Sequence, residues 1–318
     1  MSAAEGPLLD AASRPCPVCA TPPDAGRLLH DERLDAAALD RFAFASRKVP
    51  EQMHWRLLEC PVCGVAFASP APSAGGLAAA YREAGYDSSE EARYAAVTYG
   101  ELVSRMRRDL PPGAVLDVGA GDGAFLDALR ALGFREIAGV EPSREAMAAA
   151  APATRELIRE GVFRAGDFEA GRFALVSCLD AIEHLPEPLG ALRDAHALLR
   201  EGGAVLVVAH DRHGSLNRLL GRRSPIFDIE HVQLFDPRSL RALLERAGFA
   251  SIEIRRLSNR YPLRYWVRLT SPTPHQASGD RGARPGWARH PPAEAPGREL
   301  GGHGMEDGLV RSPPSLCP

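Results

Sequence analysis

Lysine is all but absent: of the 38 basic residues in this 318-residue chain, only Lys48 is a lysine. Set against 41 acidic residues the net charge is -3, so the chain carries no general attraction for nucleic acid or an anionic lipid surface. The scarcity of lysine beside abundant Ala, Gly, Pro and Arg is a signature of GC-rich codons, not of chemistry. No run approaches the roughly 18 apolar residues that a membrane helix needs. The opening MSAAEGPLLDAAS has neither the basic start nor the apolar stretch of a secretory signal. A cytoplasmic protein without a membrane partner is the expectation. No internal repeat is visible at any period, which sets aside solenoids and propellers.

What is present, first, is cysteine in pairs. Four of the six cysteines form two C-x-x-C motifs, Cys16 with Cys19 and Cys60 with Cys63. In a reducing compartment such pairs read as metal ligands before disulfides. Each pair can present two thiolates to one tetrahedral zinc ion. Residues 14–70 are therefore expected to form a small zinc-binding module after a disordered start over 1–13. Cys178 and Cys317 are left over.

From Leu77 to Leu110 the pattern turns to Ala, Glu and Arg with tyrosines at 81, 86, 94 and 99. Helices are expected there, within a lid and linker over 71–112 that ends at Pro111-Pro112-Gly113. The apolar runs AVLDV, EIAGV, FALVSCL and AVLVVAH then alternate with helical patterns over 113–270. This implies an α/β fold with a doubly wound, mostly parallel sheet. Asp236-Pro237 supplies a cap and a first-turn proline for a helix that Gly248 ends, and SIEIRRL reads as a further strand. The last 48 residues, 271–318, hold 9 Pro and 8 Gly. That composition cannot bury enough to fold, so a disordered tail is expected, with the residue mixture of frame-shifted GC-rich codons.

The stretch VLDVGAGDGAFLDALRALGF carries the most chemistry. A strand runs into Gly119, Gly121 and Gly123, with Ala120 and Asp122 between them, and passes directly into a helix. Glycines permit a tight turn and close approach of a ligand, and the helix start offers unpaired N–H groups. A dinucleotide site would show G-x-G-x-x-G. The spacing here is G-x-G-x-G with Asp117 two residues ahead, which points to a ligand without a pyrophosphate. Glu141, followed by Pro142, ends the next strand, where a carboxylate can accept both hydroxyls of a ribose. Gly166-Asp167-Phe168 places a polar group and a ring where an adenine would lie.

These residues resemble class I S-adenosylmethionine-dependent methyltransferases, over roughly residues 77 to 258. The resemblance implies a seven-stranded sheet, with Asp117 to Gly123 at the methionine part of the cofactor, Glu141 at the ribose, and Asp167 and Phe168 at the adenine. It also implies that residues just after the strand FALVSCL, namely Asp180, Glu183 and His184, border the methyl donor and open the acceptor pocket. His231, in the loop of IEHVQLFDP, is the second acceptor-side candidate. Either histidine can serve as a general base or as a packed structural side chain. The tyrosines resemble an aromatic lid of related enzymes. The cysteine module resembles one found ahead of sugar C-methyltransferases and of ribosomal RNA methyltransferases.

Three functional readings stand at this level. The first is methyl transfer to a small molecule, a nucleotide-linked sugar or a secondary metabolite. The second is methyl transfer to RNA with the zinc module as the docking element. The third is a non-catalytic binding protein that keeps the fold. Residues 14–70 hold seven basic and seven acidic side chains. An RNA-docking module should be basic, so the small-molecule reading is favoured.

Overall fold

The computed structural model describes residues 10–46, 50–259, 261, 265 and 306–308. Most of the expected disordered start and nearly all of the tail lie outside the described residues. The N-terminal part contains β1 (Ala11–Ala12), β2 (Arg27–His30), β3 (Leu57–Glu59), β4 (Ala66–Ala68) and β5 (Ala71–Pro72), then the helices α1 (Ala74–Arg82) and α2 (Ser89–Met106). Strands and helices then alternate: β6 (Ala114–Val118), α3 (Ala124–Ala131), β7 (Ile137–Glu141), α4 (Arg144–Ala149), α5 (Pro152–Arg155), β8 (Ile158–Glu160), β9 (Phe173–Leu179), α6 (Pro188–Leu198) and β10 (Leu199–Val208). The chain continues through α7 (Ser215–Leu220), β11 (Gln233–Leu234), α8 (Pro237–Ala247) and β12 (Arg256–Ser258), and β13 (Glu306–Gly308) pairs antiparallel with β12.

The central sheet has five strands among the described residues, in the order β10-β9-β6-β7-β8, all parallel. Its strands are apolar on both faces because both are covered. Leu116, Val118, Val176, Val205 and Val207 face one side, packing in one core with Leu192 of α6 and Leu243 of α8. Val115, Leu175, Leu206 and Val208, one residue out of phase, face the other side with Tyr99 and Val103 of α2 and Leu126 and Leu129 of α3. Alternation along each strand thus splits one sheet between two cores, the doubly wound arrangement. The strand order reverses at β6, so a crevice opens at its carboxyl end.

Helix α8 begins and ends on the expected signals. Asp236 accepts a hydrogen bond from the Ser239 N–H at 2.8 Å, Ser239 Oγ accepts one from the Asp236 N–H at 2.9 Å, and Gly248 closes the helix at φ 104°. The expected strand SIEIRRL is corrected: only Arg256–Ser258 is a strand, and it pairs with β13, not with the central sheet. Ile252 and Ile254 pack on the first core with the alternation of a strand. Burial at period two needs no ladder partner, and none faces these residues among those described. Of the seven strands that the resemblance implies, five are present in the central sheet among the described residues.

The N-terminal module is not a separate bead. Its sheet has the order β11-β4-β3-β2, so Gln233–Leu234, from far along the chain, forms its edge by pairing with Phe67 and Ala66. Ile226, Ile229, Val232 and Leu234 share a third core with Trp55, Leu57 and Leu77. Trp55 Nε1 donates to the Ile229 carbonyl at 2.9 Å. The buried Arg212, after β10, pairs with Glu59 of β3 at 3.0 Å. No described helix is long and apolar enough to cross a membrane.

Candidate active site

A cavity of about 510 Å³ opens at the carboxyl ends of β6, β7 and β9. It falls within the usual size of a small-molecule site. Asp117, Gly119, Ala120, Gly121, Asp122, Glu141, Pro142 and Asp180 all line it. The turn after β6 is built from glycines at positive φ, 81° at Gly119, 56° at Gly121 and 75° at Gly123. The Gly121 N–H donates to Glu141 Oε2 at 2.8 Å, and the Ser143 N–H donates to Oε1 at 2.7 Å. Burial pushes the Glu141 carboxyl above its ordinary pKa, while these two N–H groups pull the other way. A carboxylate offers about four acceptor positions, so two remain for the hydroxyls of a ligand. Asp117 Oδ1 accepts the Ser177 hydroxyl at 2.6 Å. Asp180, at φ 49°, accepts the Tyr99 hydroxyl, which in turn accepts a hydrogen bond from Asn259 at 2.9 Å.

Asp167 and Phe168 do not line the cavity. Asp167 pairs with Arg159 at 2.9 Å, and the Phe168 ring packs against Phe173 at 5.6 Å. Val162 and Phe163, in the turn that directly follows β8, do line it. Gly123 also stays behind the wall.

His184, His210 and His231 line the cavity as well. The ring centroids of His184 and His231 are 4.9 Å apart and those of His210 and His231 are 5.4 Å apart. His184 Nδ1 lies 2.9 Å from the Tyr81 hydroxyl and 3.2 Å from the Glu230 carbonyl, and Tyr81 donates to that same carbonyl at 3.1 Å. His231 Nδ1 lies 2.8 Å from the Ile226 carbonyl. A carbonyl oxygen can only accept, so His231 Nδ1 carries the proton and its Nε2 is the basic nitrogen; the same holds for His184 when the Tyr81 hydroxyl gives its own proton to the Glu230 carbonyl. Burial pushes the Tyr81 phenol well above its ordinary value. Burial also holds the Glu183 carboxyl up at about 6, with His210 opposing, and Glu183 Oε1 accepts the His210 N–H at 2.7 Å.

The family described as "Methyltransferase domain" matches residues 90–254, just over half of the chain. The chain belongs to this family. It is an S-adenosylmethionine-dependent methyltransferase of the class I fold. The methyltransferase is 30% identical over 105 residues to a ubiquinone biosynthesis O-methyltransferase of Alkalilimnicola ehrlichii, a match covering 31% of this chain and 42% of the relative. It is 31% identical over 105 residues to the protein of the same name from Azotobacter vinelandii, covering 31% and 45%. The matched part is thus less than half the length of these curated relatives. Among solved structures, a SAM-dependent methyltransferase of Thermotoga maritima superposes at a TM-score of 0.46 with 20% identity, covering 71% of this chain and 91% of that one. Magnesium protoporphyrin IX methyltransferase of Synechocystis, with bound SAH, superposes at 0.44 with 13% identity, covering 71% and 84%.

The four paired cysteines of the methyltransferase meet in one cluster, all four sulfurs within 4.8 Å of one another. Cys16 and Cys63 Sγ are 3.5 Å apart, Cys19 and Cys60 are 3.4 Å apart, and Cys19 and Cys63 are 3.7 Å apart. Each pair sits on a tight knuckle. The Ala20 N–H donates to the Cys16 carbonyl at 2.9 Å and the Gly64 N–H to the Cys60 carbonyl at 3.0 Å, with Ala20 and Gly64 at φ 58° and 85°. Cys16, Cys60 and Cys63 are buried in the first core. Cys178 is buried separately within β9, and Cys317 lies outside the described residues.

Sequence reasoning missed several cavity residues. His210 was findable, because it follows the apolar run AVLVVA and so sits at a strand's carboxyl end in a parallel sheet. Phe44 and Asn259 carry no such local signal. The two inner glycines of the turn should separate stability from binding. A Cβ at Gly123 would run into Thr154 Cγ2, whereas one at Gly121 meets nothing within 4 Å. Gly123→Ala should therefore lose about 2–4 kcal/mol of stability through strain and overpacking. Gly121→Val meets no neighbour but carries the strain of a β-branched residue at φ 56°, about 1–2 kcal/mol, and should lose affinity for S-adenosylhomocysteine by filling ligand space. Thermal unfolding and calorimetry check the pair, and a fully stable Gly123→Ala or a normally binding Gly121→Val would contradict the placement.

Proposed function

We propose that the enzyme methylates a hydroxyl oxygen of an apolar small molecule, with His184 and His231 forming the acceptor side. The observation that carries this reading is the convergence of the two imidazoles on one cavity, their ring centroids 4.9 Å apart and each Nδ1 within hydrogen-bond distance of a backbone carbonyl. S-adenosylmethionine, when bound, supplies an electrophilic methyl group whose bond to sulfur breaks with the electron pair left on sulfur. The residues that would hold it are Asp117, the turn from Gly119 to Asp122, Glu141, Phe163 and Asp180. Space at Gly121 and the remaining acceptor positions of Glu141 support that fit. As the new oxygen–carbon bond forms, the hydroxyl proton passes to a histidine Nε2. Tyr81 and the Glu230 carbonyl keep His184 turned for this. The enclosing wall replaces water around the acceptor, so alignment supplies most of the remaining acceleration.

The acceptor side is lined by Phe44, Ala45, Leu77, Ala78, Tyr81 and Pro225. A hydroxylated apolar or aromatic metabolite suits this wall, and the names of the relatives, O-methyltransferases, agree with an oxygen acceptor.

We further infer that Cys16, Cys19, Cys60 and Cys63 hold one zinc ion. Zinc–sulfur bonds of about 2.3 Å at tetrahedral angles place sulfurs roughly 3.8 Å apart, close to the spacing here, and two knuckles supply the donors.

The test is to offer the purified chain methyl-labelled cofactor with pools of phenolic metabolites and of nucleotide sugars, and to identify the labelled product by mass spectrometry. His184→Ala or His231→Ala should then lower kcat on that acceptor by about 10²–10⁴-fold, as for loss of a general base, with cofactor affinity unchanged. Normal turnover in both variants would remove the histidines from the mechanism, and a labelled nucleotide sugar would overturn the acceptor class.

A further inference from the structure

Arg14 stands two residues ahead of Cys16, yet its guanidinium reaches into the catalytic half of the molecule. Nε donates to the Ala68 carbonyl of β4 at 2.9 Å. Nη1 donates to the Pro186 carbonyl at 2.9 Å, and Nη2 donates to the Val232 carbonyl at 2.6 Å and to Gln233 Oε1 at 3.0 Å. The Arg14 backbone is fixed as well, its N–H on Ser69 Oγ at 3.1 Å and its carbonyl accepting the Ser69 hydroxyl at 3.1 Å. Among the described residues, no carboxylate stands within ion-pair distance of it. The guanidinium thus makes four hydrogen bonds to acceptors from three separate segments of the chain, more than packing alone requires.

The acceptors of Arg14 identify what is being held. Pro186 follows His184 by two residues, and Val232 is next to His231. Gln233 continues the tie, donating to the Ile182 and Leu185 carbonyls at 2.9 and 2.7 Å, one on each side of His184. The Val232 and Gln233 N–H groups return to the Glu183 carbonyl at 3.2 and 3.4 Å. Arg14 and Gln233 thus lace together the two loops whose imidazoles lie 4.9 Å apart across the cavity wall.

We propose that Arg14 is a positioning residue for methyl transfer, which acts through Gln233 and the Pro186 and Val232 carbonyls to hold His184 and His231 in their mutual geometry. The cysteine module is then part of the acceptor site rather than an appended domain. The proposal rests on the reading of the two histidines as the acceptor side, but it concerns their placement and is measured without any acceptor.

The experiment uses the full chain, with histidine side-chain nitrogens observed by NMR and assigned through His184→Gln and His231→Gln. Wild type should show both imidazoles with a protonated Nδ1 and a pyridine-type Nε2. Arg14→Gln and Gln233→Leu should each lose that pattern at both histidines, giving the mixed tautomers of a solvated ring, while S-adenosylhomocysteine binds as in wild type. If Arg14→Gln does not fold, Gln233→Leu, which changes only a side chain and keeps the backbone pairing of Gln233 with Phe67, decides alone. Wild-type histidine signals in either folded variant would overturn the proposal. So would a parallel loss of S-adenosylhomocysteine binding, which would mean that the whole cavity had collapsed. Failure of the base reading shows up separately, as normal turnover in the histidine-to-alanine enzymes with the tautomer result intact.

Discussion

Replacing Cys60 with serine should release the zinc equivalent that we assign to the cluster and lower the midpoint of thermal unfolding by on the order of 10 °C. Structural zinc is folding free energy, because the ligands are gathered only in the folded chain. Loss of such a metal belongs with the few single changes that cost more than about 4 kcal/mol. The effect should not stay within residues 14–70. The cysteines lie in the same core as Leu116 and Val176 of the central sheet, and β4 of the module is paired to β11. Serine also leaves a hydroxyl at a site that is 1% exposed, a further cost without a partner. Elemental analysis of protein prepared without chelator, beside a thermal scan of both proteins, checks this. Wild type without stoichiometric zinc, or a variant with unchanged metal content and midpoint, would refute the zinc site.

Glu141→Ala should weaken S-adenosylhomocysteine binding by roughly 1.5–3 kcal/mol, the range for hydrogen bonds to a charged group, or about ten- to a hundredfold. The carboxylate does two things at once. It holds the glycine turn through the Gly121 N–H and the following loop through the Ser143 N–H, and it offers its remaining lone pairs to the cavity. Alanine removes both functions, whereas Glu141→Gln keeps one oxygen acceptor and should lose less. Calorimetric titration orders the three proteins. Equal affinity in all of them would remove Glu141 from the ligand.

The signals that made the fold legible are local. Apolar runs separated by helical patterns gave β6, β7, β9 and β10, the Asp236-Pro237 cap and Gly248 bounded α8, and the two C-x-x-C pairs announced a cluster whose knuckles then appeared as expected. What escaped depends on distant partners. Gln233–Leu234 is a two-residue strand whose partner, Ala66–Phe67, lies far back in the chain, so neither period nor cap could reveal that the module shares its sheet with the catalytic part. Arg14 reads as one charge among many until four acceptors from three segments close around it. Among the residues singled out for the site, the turn from Gly119 to Asp122, Glu141, His184 and His231 line the cavity, whereas Gly123, Asp167 and Phe168 do not. The tyrosines divide for a geometric reason. Tyr94 and Tyr99 are five residues apart on α2, a rotation of about 140°, so Tyr99 lines the cavity while Tyr94 is 43% exposed.

We propose that one cavity joins a cofactor side at Glu141 to a separate acceptor side at His184 and His231. Calorimetric titration of the full chain with S-adenosylhomocysteine, run in parallel on wild type, Glu141→Ala and the double variant His184→Ala/His231→Ala, tests it most directly. Wild type should show one site per chain, the double-histidine variant the same affinity, and Glu141→Ala a loss of about tenfold or more. No binding to wild type, or equal losses from both sides of the cavity, would contradict it.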